Sequence, residues 1–393
     1  MAGLDLEELS TKYEGYFTPI VRVMVGEDDV ETDKKISVKV TDVMVQVTSD
    51  YKASIAEYTL RFSYNFNNGS FYTKELKKYI CMGTAIKIYM GHGSSITEVF
   101  TGFIAGVHFL YEATDVEASG IRITALDIKG IMMANNSSKR LKANYYSDAV
   151  KEILDQAPYQ TLKNNEGITS ITITDTPDKP GGGAGGSAPS GGGAQGGGQA
   201  DNRLEMVAES DYEFVIKAAK KFNYEFFTIG GNVVFRKAKA NTQNLGEIKP
   251  HGSILGYDIN YDITGVVGEV KVRTMDIGKA SKIEVKKKNN NKFSLGSKAK
   301  PLIKDQAYVY IDSAIESQKD AENRAAYILE ETSYRLGSIR MKFKGIPEFV
   351  PGRFIVLKDF GDAASNRFYI TDVTHEYDGL FYTTTIEGKA STL

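Results

Sequence analysis

The sequence predicts a mainly β chain with an α+β insert and a glycine-rich linker. Three observations carry this. Short runs that alternate apolar and polar residues, parted by turn residues, fill the stretch from Pro19 to Leu126. A second set of such runs closes the chain between Gly345 and Gly388. Between them lies a capped helical repeat followed by a hairpin pattern, Ser210 to Arg236.

In order, residues 1–16 are acidic and carry no apolar stretch, so they read as a mobile arm. Strands follow over 20–25 and 36–47, where Val38, Val40, Val43, Val45 and Val47 mostly alternate. From Ala56 to Phe66 the alternation puts Tyr58, Leu60, Phe62, Tyr64 and Phe66 on one face. Further strands fall over 85–90, 99–110 and 121–126, with a Gly91-His92-Gly93 turn inside the series. Five to seven short strands in this length suggest a small antiparallel barrel or sandwich. Ser147 reads as the cap of a short helix carrying Ala149, Val150, Ile153 and Leu154. Residues 168–174 read as one strand, and 178–202 as a flexible linker with nothing to bury.

After the linker, Ser210 and Glu213 form a capping box, and Val215, Ala218, Ala219 and Phe222 share one helical face. Strands are expected over 254–263 and 266–273, and a lysine-rich loop from Val285 to Lys300. A final helix over 317–335 starts at Ser317 and buries Ala321, Ala325, Ile328, Leu329 and Thr332. Pro351-Gly352 is turn chemistry, and Phe354 to Leu357 reads as a buried strand. Asp378-Gly379 between two alternating runs is the signal of a hairpin with a type I′ turn.

The order of these motifs resembles the phage late-control D family, the baseplate hub proteins of contractile tails. It is also similar to the N-terminal half of type VI secretion spike proteins. Gly83, Gly91, Phe100, Gly102, Ile104 and Asp127 match the family's first barrel. Ser210, Asp211 and Phe214 match its small α/β module. Pro351, Gly352, Tyr369 and His375, with Gly345, Pro347, Val373 and Tyr377, match its end. The resemblance implies two similar small antiparallel β-barrels joined by an α/β module. On that plan 17–135 is the first barrel, 136–245 the middle module with the linker inserted, and 246–393 the second barrel. It further implies a homotrimer that presents a pseudo-six-fold face to a hexameric tail tube and holds a central spike on the other side. Other baseplate proteins and a tape-measure segment are the remaining partners it implies. The spike is expected to be a separate polypeptide, since the chain stops soon after the hub. The implied setting is synthesis in a bacterial cytoplasm, then assembly into a phage, a phage-tail-like bacteriocin or an extracellular injection system.

Composition narrows the alternatives. Net charge is −2 with 48 basic and 50 acidic residues, so nothing argues for nucleic-acid recognition. No run of about 18 apolar residues suggests a membrane span. The one cysteine, Cys81, excludes an internal disulfide and reads as buried packing in the Tyr79-Ile80-Cys81-Met82 run. The four histidines, His92, His108, His251 and His375, are scattered, and no pair has metal-ligand spacing. His375 lies beside Asp372 and Glu376, but strand period sends Asp372 to the opposite face. No Gly-x-Ser-x-Gly elbow occurs, and the glycine-rich stretch lacks a Gly-Lys-Ser/Thr tail. No catalytic residue, cofactor or metal is expected. The competing readings are a tail-associated cell-wall hydrolase, which would need a further domain, and a carbohydrate-binding β module, supported only by 23 tyrosines.

Overall fold

A computed structural model describes residues 3–32, 37–115, 118–179, 203–276, 281–292, 298–312, 315, 317–362 and 364–393. The expected linker lies outside them, apart from residues 178 and 179.

The chain opens with α1 (Leu6–Lys12), then β1 (Pro19–Val25), β2 (Asp28–Asp29), β3 (Lys39–Thr48), β4 (Ile55–Arg61), β5 (Tyr64–Asn65) and β6 (Ser70–Phe71). A short helix α2 (Lys77–Ile80) leads to β7 (Ala85–His92), β8 (Ser95–Leu110) and β9 (Gly120–Leu126). Six of these strands form an antiparallel run in the order β1-β7-β8-β9-β4-β3. One face of all six feeds one core, including Val23, Val45, Leu60, Ile88, Phe100 and Ile121. A sheet whose six strands share one core must curl around it. The Val40 N–H donates to Glu31 Oε1 at 2.6 Å and the Val30 N–H to the Val23 carbonyl at 3.0 Å, which ties the outer strands together.

The valines of β3 change phase between Val40 and Val43 because the strand bulges there. Asp42 has φ +51°, and the register with β4 shifts between Thr41 and Met44. The expected long strand through Phe66 is not formed. β4 stops at Arg61, Phe62 turns left-handed at φ +59°, and Phe62 and Phe66 are exposed.

The middle of the chain holds α3 (Ile128–Met132), β10 (Ser137–Arg140), α4 (Tyr146–Leu154), α5 (Ala157–Asn164), β11 (Ser170–Ile173), β12 (Glu205–Glu209), α6 (Asp211–Phe222), β13 (Tyr224–Ile229) and β14 (Asn232–Lys237). β13 and β14 form a hairpin, and β11 adds to it in parallel. Both members of the capping box are made at Ser210 and Glu213, and Asn223 closes α6 left-handed. Phe214, Ala218 and Phe222 meet Val150, Phe226 and Phe235 in a second core. Ser147 does not cap α4. Tyr145 holds that position, and the Ser147 N–H donates to Thr176 Oγ1 at 3.0 Å.

The last part comprises β15 (Asn244–Ile248), β16 (Ile254–Tyr261), β17 (Glu269–Asp276), β18 (Ser281–Lys288), α7 (Ala299–Ile303), β19 (Ala307–Ile311), α8 (Gln318–Ser333), β20 (Gly337–Lys344), β21 (Phe354–Leu357), β22 (Arg367–Tyr377) and β23 (Tyr382–Ala390). Six strands again run in one order, β15-β21-β22-β23-β20-β16. In both sets the first strand in the chain lies beside the fourth, followed by the fifth, sixth, third and second. One difference remains. β1 is antiparallel to β7, whereas β15 is parallel to β21.

The two sets are fused. β22 pairs with β3 from Asp372–Thr48 to Tyr377–Val43, so one sheet runs through both. β17, β18 and β19 stand apart as a three-stranded sheet under α8, with Val270, Val272, Ala321 and Ala325 as its core. The 266–273 run therefore leaves the second set, and Lys286–Lys288 belong to a paired strand rather than a loop. The Asp378-Gly379 turn is wider than expected. Tyr377 pairs with Tyr382, and only Gly379 of the four intervening residues has positive φ.

Residues 1–16 are likewise not a free arm where described. Asp5 caps α1 through the Glu7 N–H at 2.8 Å, and Leu6, Leu9 and Tyr13 join the second set's core with Phe343 and Phe349. Leucines at i and i+3 give the helix one apolar stripe, and burying it repays the ordering of the segment.

Candidate functional site

Four groups of buried polar side chains lie where parts of this chain meet. Tyr369, on β22, donates its hydroxyl to Glu225 Oε2 at 2.6 Å. Arg236 Nε donates to Glu225 Oε1 at 2.6 Å, and its Nη2 reaches the Gly352 carbonyl at 2.8 Å. The β13–β14 hairpin is thereby bonded to both the Pro351-Gly352 turn and β22. Gly352 has φ +77°, and a side chain there would meet the Phe227 ring at 2.8 Å. Burial, then the Glu225 charge, pushes the Tyr369 phenol pKa well up.

A cleft of about 320 Å³ opens beside this group, bordered by Tyr51, Glu225, Lys239, Glu330 and Tyr334. Glu225, Glu330 and Glu331 among its acids are already paired. Glu330 takes Lys239 Nζ at 2.6 Å and Asn223 Nδ2 at 2.7 Å. A carboxylate held by two donors is a poor general base, because both donors favour its charged form.

Two further nodes lie on the middle module. Asp211 is buried and accepts from Tyr159 OH at 2.7 Å, Asn135 Nδ2 at 2.6 Å and Lys139 Nζ at 3.3 Å. Asp127 caps α3 through the Lys129 N–H at 3.0 Å and accepts the Ser54 N–H at 3.1 Å. Lys129 is fully buried, with its Nζ on the Asp50 and Lys52 carbonyls. Burial lowers its pKa, opposed by Asp127.

The fourth node joins the two β sets. His375 is buried, with Nδ1 2.9 Å from Tyr382 OH and 3.1 Å from Thr384 Oγ1. Tyr382 stacks on His92 of β7 at 5.4 Å, and His92 Nε2 lies 2.9 Å from the Gly345 carbonyl. Burial pushes the His375 pKa down to about 3. The enclosed, neutral imidazole packs against Tyr382 and Thr384.

The remaining residues singled out in the sequence have local roles. Gly83 turns at φ +84° ahead of β7. Gly91 and Gly102 sit where a side chain would collide with the Ser95 and Leu126 carbonyls. Phe100 and Phe214 are core residues, Ser210 is a cap, and Pro351 is buried. Cys81 is a correction. It is exposed, because α2 buries Tyr79 and places Cys81 just past its end. Sequence reading gave no role to Glu225, Arg236, Lys129 and Tyr382 and weighed His92 only as a metal ligand; each has a partner far along the chain. Among the described residues no group of three His, Cys, Asp or Glu could hold a metal, and no helix is long and apolar enough to cross a membrane.

Comparison with solved structures gives the fold its relatives. A tail protein from Neisseria meningitidis matches with a TM-score of 0.63 at 11% identity, over 95% of this chain and 97% of its own. The two chains share one fold. The 43 kDa tail protein of prophage MuSo2 from Shewanella oneidensis matches at 0.61 and 11%, over 94% of this chain and 98% of its own. The E. coli c3393 protein, a type VI secretion component with structural similarity to T4 tail proteins, matches at 0.50 and 10%, over 94% and 76%. No family model and no curated protein sequence matches.

Proposed function

We propose that this chain is a structural baseplate hub of a contractile injection machine, acting as a homotrimer between a hexameric tail tube and a central spike. One observation carries the reading: a single chain holds two six-stranded sets of the same strand order, fused into one sheet. Three such chains offer six quasi-equivalent sets, which lets three-fold symmetry face six-fold symmetry. The likeness to tail proteins over nearly the whole chain supports the setting. The donor-bound state of Glu225, Glu330 and Asp211 supports a load-transmitting body rather than a reacting one. Sheath contraction then drives tube, hub and spike outward together, in a phage or a phage-tail-like particle.

The test is the mass of the purified protein in solution, by light scattering and native mass spectrometry. Three times the 43.2 kDa chain is expected. A monomer at all concentrations, in a particle whose tube ends bind no hub, would sink the proposal.

A further inference from the structure

The three-stranded sheet β18-β17-β19 ends in two unlike edges. β18 carries Lys282, Glu284, Lys286, Lys287 and Lys288 among its eight residues, and an edge dense in lysine turns away strands that would pair with it. β19, Ala-Tyr-Val-Tyr-Ile, has no charge, glycine or proline. It pairs in parallel with β17 and, among the described residues, with nothing on its other side.

The ladder shows which backbone groups are left over. The Glu269 N–H donates to the Gln306 carbonyl at 3.2 Å, and the Asp312 N–H to the Arg273 carbonyl at 3.3 Å. Successive residues of a strand turn their backbone groups to alternate sides, so the even-numbered residues of β19 face β17. The N–H and carbonyl groups of Ala307, Val309 and Ile311 therefore point away from it. Val309 is 46% exposed and Ile311 75%. A short run of high β propensity with an open row of donors and acceptors is a template for one more strand.

The face beside this edge sets the chemistry of that strand. Val270 and Val272 join the core under α8, so Lys271 and Arg273 lie on the outer face, alongside Val309 and Ile311. On β18 the same face holds Lys282, Glu284, Lys286 and Lys288. Glu284 gathers Arg273 at 2.9 Å, Lys286 at 3.2 Å and Lys282, while Glu269 takes Lys271 at 3.0 Å. Five cations thus share two carboxylates, and Lys271 stands directly opposite Lys286, a like-charge pair that a nearby anion would relieve.

We propose that β19 receives an extended acidic segment of another protein as a fourth strand. Its backbone would bond to Ala307, Val309 and Ile311, and its apolar side chains would lie against Val309 and Ile311. Its carboxylates would reach Lys271 and Arg273 across two strand spacings, about 10 Å. A second copy of this chain is the poorer occupant, since pairing β19 with β19 would set two positively charged faces side by side. A nucleic acid would meet the cations but has no row of alternating donors and acceptors for the edge.

The test uses the full-length protein and two short fluorescein-labelled peptides, one alternating glutamate with valine and one alternating lysine with valine. Fluorescence anisotropy is expected to show the acidic peptide binding at least about tenfold more tightly. Val309→Pro removes only an outward N–H, which an edge strand tolerates, so the melting temperature should hold while acidic-peptide binding falls at least about tenfold. Val309→Lys, which keeps the backbone and guards the edge, should weaken binding likewise. Lys271→Glu with Lys286→Glu should reverse the preference between the peptides. No binding of the acidic peptide, equal binding of both peptides, or binding that survives both substitutions at Val309 would overturn the proposal. So would tighter binding of single-stranded oligothymidine, which would assign the basic face to nucleic acid. A drop in assembly mass in Val309→Pro would also overturn it and assign the edge to contacts between copies. Acidic-peptide binding by a monomer would keep this proposal and sink the hub reading alone.

Discussion

Tyr369 and Glu225, 144 positions apart, are joined by a 2.6 Å hydrogen bond that fastens the middle module to the second β set. The carboxylate also carries Arg236 and the Lys239 N–H, so this one side chain gathers three partners. Tyr369→Phe is expected to cost about 1.5–3 kcal/mol, the worth of a hydrogen bond to a charged group. Glu225→Ala should cost about 3 kcal/mol, since it strands Arg236 and Tyr369 together. Denaturant unfolding midpoints measure both. A loss below 0.5 kcal/mol on the order of surface substitutions would contradict the assignment.

His375 makes stability depend on pH. Its folded pKa lies at about 3, against 6.5 for a free imidazole. The unfolded chain therefore binds the extra proton first as pH falls below 6.5. The contribution is complete above that value and is lost toward pH 3, by about 1.4 kcal/mol per pH unit. Between pH 7.5 and 5 the normal protein should lose about 2 kcal/mol more than His375→Gln. Equal losses in paired denaturation curves would refute the burial argument.

Asp211 is expected to matter more than its neighbouring cap. Asp211→Ala leaves Tyr159 OH and Asn135 without their buried acceptor, a loss of about 3 kcal/mol. Ser210→Ala removes one cap bond and should cost about 1 kcal/mol. Hydrogen exchange over α6 would rank the two, and the reverse order would be inconsistent with the buried node.

Gly102 and Gly256 make opposite demands on a side chain. A Cβ at Gly102 meets the Leu126 carbonyl and the Phe100 ring, so Gly102→Ala should cost about 2 kcal/mol or more. Nothing lies within 4 Å of a Cβ at Gly256, so Gly256→Ala should stay within about 0.5 kcal/mol. Melting temperatures of the two variants check the contrast.

Local signals were read well where the cause was local. The capping box at Ser210, the start of α8 at Ser317 and the limits of β21 follow from side chains a few residues apart. The errors had causes from elsewhere. Phe62 and Phe66 look like strand residues by period, but β4 ends where its partner β9 begins at Gly120. α1 looks like an unattached arm until the second set offers Leu6 and Leu9 a core. The site shows the same division. Asp211 and Tyr369 stood out by motif, while Glu225 and Arg236 carried no signal and His92 was weighed only as a metal ligand.

By itself the sequence determined which segments are strands or helices, which faces are apolar, and which turns need glycine, because those properties depend on spacing and side-chain type. Only the tertiary structure decided that β3 pairs with β22 and that Tyr369 finds Glu225. Such pairings depend on the register between strands hundreds of residues apart, and period-two alternation is the same for every partner a strand could choose.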